Sequence, residues 1–146
     1  RIHEAESKVA PGVALNFRSS TDRFILQTDA VRLKQLLDIL LSNAAKFTKE
    51  GEITLLYLVS QEKGVVQFIV EDTGVGIPKD IQERVFNSIE IESSENVNVP
   101  VEGVSLGLAI CKIVANRLEG TITLDTLYEK GTRIIFTHPI RINNYY

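Results

Sequence analysis

The sequence predicts an α/β fold: a two-layer sandwich in which three helices cover one face of a mixed sheet. Strand-like and helical segments are interspersed along 146 residues, a length that suits one domain with one core. The helical segments carry apolar stripes, which need a sheet or another helix to cover them. A hydrophobic content of 44% and a charged content of 24% are typical of globular proteins.

The strands are predicted from runs rich in branched and aromatic residues that are bounded by polar or glycine-containing turns such as SSTD and QEKG. The first dozen residues end in Pro11-Gly12, so we expect 1–12 to be a connector from an upstream segment and 13–146 to be the domain. The predicted strands are 13–19, 23–28, 52–60, 65–71, 121–128 and 132–140.

Three segments have apolar residues at helical spacing. The first is 29–47, with Asp29 as its N-cap. The second runs from Pro78, which suits a first helical turn, to about Phe86. The third starts near Ser105 and ends in a C-cap at Gly120. Its predicted buried face consists of Leu106, Ala109, Ile110, Ile113, Val114 and Leu118.

Between the last two helices, residues 87–102 are polar, acidic and without clean periodicity. Loops of this length in compact domains are usually functional lids or mobile segments. We therefore expect 87–102 to act on a neighbouring site.

The composition excludes several classes of function. A net charge of −3 without a basic stripe gives nucleic-acid binding little support. The apolar runs are far shorter than the ~18 residues of a membrane helix, and the chain begins without a signal-like segment. The single cysteine, Cys111, excludes an internal disulfide and fits a reducing compartment. Because methionine is absent, we expect the chain to be a piece of a longer protein.

Asn43 lies at the edge of the leucine stripe in 29–47, and Lys46 lies further round the same flank. An asparagine at such a margin usually hydrogen-bonds at the surface. Its amide oxygen is also a hard ligand that suits Mg²⁺, and a lysine one turn away suits phosphate. The residues alone leave both readings open.

Residues 72–78 read DTGVGIP, directly after a predicted strand. One interpretation is an ordinary turn, in which the aspartate caps and glycine permits positive φ. In the other, the glycines let the backbone approach a flat ligand, and Asp72 accepts a hydrogen bond from an exocyclic amine. Short glycine motifs recur by chance, so this segment alone does not decide.

Residues 103–110 read GVSLGLAI at the start of the third helix. Glycine costs about 1 kcal/mol relative to alanine inside a helix, so Gly107 needs a reason. Close helix–sheet packing is one, and an anion site at the helix start is another. The sequence contains neither GxxxxGK[ST] nor GxGxxG, so a P-loop and a dinucleotide fold are not supported.

Together and in this order, these segments resemble the catalytic, ATP-binding domain of sensor histidine kinases, in the superfamily shared with gyrase, heat-shock chaperone and mismatch-repair ATPases. The resemblance covers the chain from about Val13, and ordered co-occurrence is more specific than any single motif. The matching segments are the N box at 32–48, the G1 box at 72–78, the F box at 83–86, the G2 box at 103–110 and the last glycine box at 131–136.

The resemblance implies a Bergerat-type fold and a role for each candidate residue. Asp72 would bind the adenine amino group, while Asn43 would coordinate Mg²⁺ and Lys46 would contact phosphate. Residues 87–102 would be the ATP lid, and Thr132 would make a polar contact near the base. The rest of the nucleotide-binding set would be Gly74 and Gly76 beside the base, Ile77, and the helix-start residues Gly103, Ser105, Leu106 and Gly107.

The resemblance also implies a function. The domain would bind Mg-ATP and transfer the γ-phosphate to a histidine on a separate dimerisation domain of the same protein, with a response regulator downstream. It would be cytoplasmic, without membrane contact of its own. We interpret both histidines of this chain, His3 and His138, as structural or solvated, so the phospho-acceptor is expected elsewhere.

Some positions depart from the family pattern. Ile39 replaces a second asparagine, Ser105 replaces a glycine and Ile89 replaces a phenylalanine, while the 87–102 segment is rich in acids. These changes favour an alternative, a degenerate regulatory module with weak or no nucleotide binding. An ATP-gated machine of the gyrase or chaperone type is disfavoured by the short chain.

Overall fold

The computed structural model describes residues 11–21, 24–86 and 101–140, with residues 84 and 101–105 described by their backbone alone. One five-stranded sheet has the order β1-β2-β3-β5-β4. The first strand pairs with the second in parallel and the other neighbours are antiparallel, so the predicted mixed sheet is confirmed. The strands are β1 Val13–Ser19, β2 Gly51–Ser60, β3 Val65–Asp72, β4 Thr121–Leu124 and β5 Thr132–Pro139.

Among the described residues, two α-helices cover one face of this sheet. Parallel pairing of β1 with β2 requires a crossover, and the crossover contains helix α1, Ala30–Phe47. Helix α2, Val101–Arg117, packs beside it. The buried core between the layers combines leucines of both helices with inward-facing residues of the sheet. The predicted two-layer sandwich is therefore confirmed.

Helix α1 begins as the sequence predicts. The Asp29 carboxylate accepts a hydrogen bond from the Arg32 backbone N–H at 3.2 Å, and the Asp29 carbonyl accepts one from the Leu33 N–H at 3.0 Å. The first contact satisfies one of the N–H groups that a helix start leaves unpaired, and the second is the first hydrogen bond of the helix itself. The cap and the buried stripe, which includes Leu36 and Leu40, together fix the direction of α1 across the sheet.

The second predicted strand, 23–28, is wrong over its described part, because residues 24–28 have no strand structure. Burial alternates along them, as it does in a strand, although they do not belong to the sheet. Thr28, the last of these residues, has a hydrogen bond to His138 Nε2 at 2.8 Å. His138 is 3% exposed and packs edge-on against Phe136, so its structural interpretation is confirmed.

The middle helix is much shorter than predicted. Only Gln82–Arg84 form a 3₁₀ helix, and the residues before it make turns, with the Ile81 N–H donating to the Pro78 carbonyl at 3.1 Å. Ile81 and Val85 are its buried apolar anchors. One short turn is enough to bury these two apolar residues, and 3₁₀ geometry is common in helical segments of this length.

Helix α2 differs from its prediction at both ends. It begins at Val101 instead of near Ser105, and Glu119, with φ 62°, takes the left-handed conformation after it. Gly120 has another reason to be glycine: a Cβ there would come within 2.7 Å of the Phe136 ring. The predicted strand after it stops at Leu124, where a turn begins.

The buried face of α2 is also only partly as predicted. Val114 and Leu118 are buried, but Leu106 is 61% exposed and Ile113 is 56% exposed. The helix is apolar on two sides, so periodicity alone could not choose the face that packs. The other residues that α2 buries are Leu108, Cys111 and Ala115.

Several expectations lie outside the described residues: the connector over 1–10, His3, Ile89 and the proposed lid up to residue 100. Within the described part of the chain, no helix combines the length and apolar character needed to cross a membrane.

Asp29→Ala should lower the free energy of unfolding by about 1 kcal/mol, because it removes the side-chain acceptor at the start of α1. Urea denaturation measures this change. Asp29→Asn is the matched control and should stay near wild type, because asparagine caps equally well. Equal losses in both variants would show that the cap does not stabilise α1.

Candidate functional site

A cleft of about 630 Å³, counted to its open mouth, lies between α1, α2 and the ends of β3 and β5. Its walls are mostly apolar, and among the described residues that line it only Asn43, Asp72 and Thr132 have polar side chains. A concave apolar site with few polar groups is the usual form of a small-molecule site. The apolar lining includes Leu40, Ala44, Val70, Ile77, Ile81, Leu108 and Ile134.

Asp72 is the ionisable group of this lining. It ends β3, is 5% exposed, and its Oδ1 accepts hydrogen bonds from the Gly74 N–H at 2.9 Å and the Thr132 N–H at 3.2 Å. Neither bond uses Oδ2. Burial raises the pKa of the Asp72 carboxyl, and the two backbone hydrogen bonds oppose that rise. The side chain is thus fixed through one oxygen, while the other is left to accept a donor from the cleft.

The two glycines after Asp72 have steric reasons within the protein itself. Gly76 has φ +76°, a conformation that favours glycine. At Gly74 a Cβ would collide with the Phe47 carbonyl oxygen and approach Thr48 Oγ1 to 2.9 Å. The loop after β3 can therefore lie against the end of α1 only with glycine at position 74.

Gly131 belongs to the site but was not among the site residues predicted from the sequence. A Cβ at this position would collide with the Asp72 carbonyl oxygen and lie 2.8 Å from both Asp72 Oδ1 and the Gly74 nitrogen. Its place in the segment GTRIIF was a signal, because that segment matched the last glycine box. Glycine at 131 lets the start of β5 reach Asp72 closely.

Asn43 faces α2 at the side of the cleft. A Cβ on Gly107 would lie 3.0 Å from Ile39 Cγ2 and 3.5 Å from Asn43 Nδ2, so Gly107 allows close helix–helix contact, and the helix–sheet explanation is wrong. The Asn43 Nδ2 atom is buried and has no hydrogen-bond partner among the described residues. The other such atom there, Thr48 Oγ1, belongs to a residue that does not line the cleft. An unpaired buried amide is costly, so it fits a polar ligand in the cleft.

The remaining candidates are spread more widely. Thr132 and Ile77 line the cleft, whereas Lys46 and the exposed Leu106 do not. The Lys46 Nζ lies 5.5 Å from the centre of the Phe47 ring, which itself lines the cleft. Gly103 lies in the first turn of α2, and the side chain of Ser105 is outside the described part.

A family profile described as "Histidine kinase-, DNA gyrase B-, and HSP90-like ATPase" matches residues 28–142. The match covers most of the chain, and the chain belongs to this family. The resemblance that the sequence motifs indicated is therefore confirmed.

Two similar proteins are named as sensors. The aerobic respiration control sensor protein ArcB of Escherichia coli strain K12 is 35% identical over 111 residues, 75% of this chain and 14% of ArcB. The sensor histidine kinase WalK of Bacillus subtilis strain 168 is 34% identical over 126 residues, 85% of this chain and 20% of WalK. The chain thus spans a small part of the curated relatives that it matches.

Solved structures share the fold. Full-length ShkA in complex with AMPPNP has a TM-score of 0.74 and 28% identity, over 94% of this chain and 27% of ShkA. The nucleotide-free catalytic domain of the histidine kinase ThkA has a TM-score of 0.72 and 23% identity, over 95% of this chain and 86% of that domain. The second likeness supports the fold alone.

Asp72→Asn should change how stability depends on pH. Because burial raises the folded-state pKa of Asp72, its carboxyl favours folding when protonated, and that contribution is lost as pH rises through the folded pKa. The stability of the wild type relative to the variant should therefore fall from acid to neutral pH, as measured by urea denaturation. A difference in stability that stays constant or rises with pH would contradict the raised pKa of Asp72. The measurement is made at high salt, which screens the long-range effect of removing one charge.

Proposed function

We propose that the chain is the ATP-binding catalytic domain of a two-component sensor histidine kinase. It binds Mg-ATP and transfers the γ-phosphate to a histidine on a separate dimerisation domain of the same protein. The observation that supports this most is the buried Asp72, which lines an apolar cleft and accepts two backbone hydrogen bonds through Oδ1, neither of which uses Oδ2. Membership of a family of ATPases supports ATP as the ligand.

An adenine base suits this cleft by shape and by hydrogen bonding. The flat base lies against apolar walls such as Val70 and Ile134, and its exocyclic amine donates to Asp72 Oδ2. Guanine has a carbonyl at the corresponding position, which would face the carboxylate as a second acceptor. Such an unmatched buried pair is what a polar site rejects most strongly.

The triphosphate would lie towards the crevice between α1 and α2. There the unpartnered Nδ2 of Asn43 would donate to a phosphate oxygen, whereas the Oδ1 of the same amide would coordinate Mg²⁺. Lys46 lies one residue before the cleft-lining Phe47. When bound, Mg²⁺ would neutralise charge on the phosphate oxygens. The described residues hold no cluster of three or more His, Cys, Asp or Glu for a metal, which fits an ion held mainly by phosphates and water.

The first turns of α2 would complete the phosphate side. Gly103 and Gly107 lie in these turns, and we propose that Ser105 and Leu106 flank the phosphates with them. A helix start favours anions through its free N–H groups and its dipole. The protein's contribution to phosphoryl transfer is then positioning and charge neutralisation.

A degenerate regulatory module is the second candidate, and Ile39 is the observation that favours it. Ile39 packs against the core and beside Gly107, where the family pattern has a polar residue. The fixed Asp72 favours a functioning nucleotide site. Titration of Mg-ATP into the purified domain by calorimetry separates the two, because only the first predicts saturable binding.

The partners follow from the same proposal. ArcB and WalK are named as sensor proteins, so we propose a dimerisation domain in the same protein and a response regulator as the downstream acceptor. We place the domain in the cytoplasm, where ATP is available.

Asp72→Asn should weaken ATP binding by about tenfold or more, since it replaces an acceptor with an amide N–H that faces the adenine amine. Binding of GTP should change much less, and calorimetry measures both. Asp29→Asn removes the same charge far from the cleft and should bind ATP like the wild type. Unchanged ATP and GTP affinities in Asp72→Asn would refute the adenine assignment.

Asn43→Ala should lower phosphoryl transfer by about 10²-fold or more, the usual effect of removing one group that stabilises transferring charge. The assay uses the domain with its own dimerisation domain and radiolabelled ATP, and circular dichroism checks folding. Asn116→Ala removes an exposed helical asparagine as a control. A folded Asn43→Ala variant with wild-type transfer would exclude the proposed role.

A further inference from the structure

The connection between β4 and β5 reaches the cleft aspartate through a tyrosine. The Tyr128 hydroxyl donates a hydrogen bond to the backbone carbonyl of Asp72 at 3.1 Å. Tyr128 itself does not line the cleft, so it would act on a ligand only through Asp72. The question is what keeps the phenol in this place.

Arg133 holds the ring. Its guanidinium carbon lies 4.2 Å from the centre of the Tyr128 ring, close enough for a cation–π contact. Its Nε donates to Glu71 at 2.7 Å and its Nη1 donates to Asp125 at 3.2 Å. The guanidinium is thus fixed between two carboxylates, one on β3 and one where the connection begins, and the ring is fixed beneath it.

Asp125 also shapes the connection. Its Oδ1 accepts the Leu127 N–H at 3.0 Å, and its own N–H donates to the Arg133 carbonyl at 2.9 Å. These bonds close the hairpin just where Tyr128 must turn back towards β3. The carboxylate therefore serves the turn and the arginine at once.

The same connection and the first residue of β5 contact Asp72 at three points. Tyr128 binds its carbonyl oxygen, the Thr132 N–H binds Oδ1, and Gly131 packs against both oxygens without room for a Cβ. The main chain and the side chain of Asp72 are thereby held by one rigid piece. The direction in which Oδ2 faces the cleft depends on this hold.

We infer that Tyr128 is a positioning residue for nucleotide recognition: through the carbonyl of Asp72 it sets the orientation in which the carboxylate meets the adenine amine. The inference rests on the proposed function, because it needs Asp72 to bind the base. It goes beyond that function because the contact between Arg133 and Tyr128, which lies outside the cleft, would set the selectivity for the base.

The charges around Tyr128 favour this role. Glu71, Asp72 and Glu52 surround it with negative charge, and Arg133 opposes them. Burial first, and then Glu71, raise the pKa of the Tyr128 phenol above its usual range. The hydroxyl therefore keeps the proton that it donates at neutral pH.

The test compares two tyrosine-to-phenylalanine variants. Tyr128→Phe removes the donor to Asp72, and Tyr57→Phe removes an equivalent bond, from the Tyr57 hydroxyl to the Thr21 carbonyl at 3.1 Å, at the other end of the sheet. Calorimetry measures the affinities of ATP and of purine riboside triphosphate, which has hydrogen in place of the amine. The ratio of the two affinities isolates the amine contact.

Tyr128→Phe should lower the affinity for ATP by about three- to tenfold, the worth of one hydrogen bond, and lower it for the amine-free analogue much less. Tyr57→Phe should keep the wild-type ratio, although both variants lose similar stability. An unchanged affinity ratio in Tyr128→Phe, together with a changed ratio in Asp72→Asn, would overturn the role of Tyr128 and leave the adenine assignment in place. If Asp72→Asn also kept the ratio, the adenine assignment would fail with it.

Arg133→Gln gives an independent second variant. It removes the cation above the ring and leaves the hydroxyl in place, so it should shift the ratio in the same direction as Tyr128→Phe. A wild-type ratio in a folded Arg133→Gln variant would show that the arginine does not fix the ring, and would count against the inferred hold on Asp72.

Discussion

The site depends on one buried carboxylate at the end of a central strand. A carboxyl group that is 5% exposed is tolerated there because two backbone N–H groups bind one of its oxygens. Those two groups belong to different elements, the loop after β3 and the start of β5. The position of Asp72 therefore requires that both elements meet closely, and glycine at 74 and 131 is what permits it.

The two helices also approach each other closely. Gly107 brings α2 against α1 beside Asn43, which leaves an amide nitrogen enclosed without a partner among the described residues. The sheet provides one polar end of the cleft, at Asp72, and the helix pair provides the other, at Asn43. Under the proposed function the base and the phosphates of one nucleotide satisfy these two ends, and the apolar walls between them exclude water from the base.

Local signals predicted helix α1 well, because it has one apolar stripe and one capping residue. They also selected Asp72, an acid before two glycines, which lies in the lining of the cleft. Helix α2 was harder, because Leu106 and Ile113 continue an apolar pattern on a side that does not pack. Gly131 and Tyr128 were missed for another reason: they reach Asp72 across about sixty residues of sequence, and that contact exists only through the pairing of β3 with β5.

The most direct test of the account is a crystal structure of the domain with Mg²⁺ and a non-hydrolysable ATP analogue. We expect the base in the apolar cleft, its exocyclic amine within hydrogen-bonding distance of Asp72 Oδ2, and Asn43 turned to the phosphates or the metal. A base bound elsewhere, or an amine that faces away from Asp72 in a fully occupied site, would contradict it.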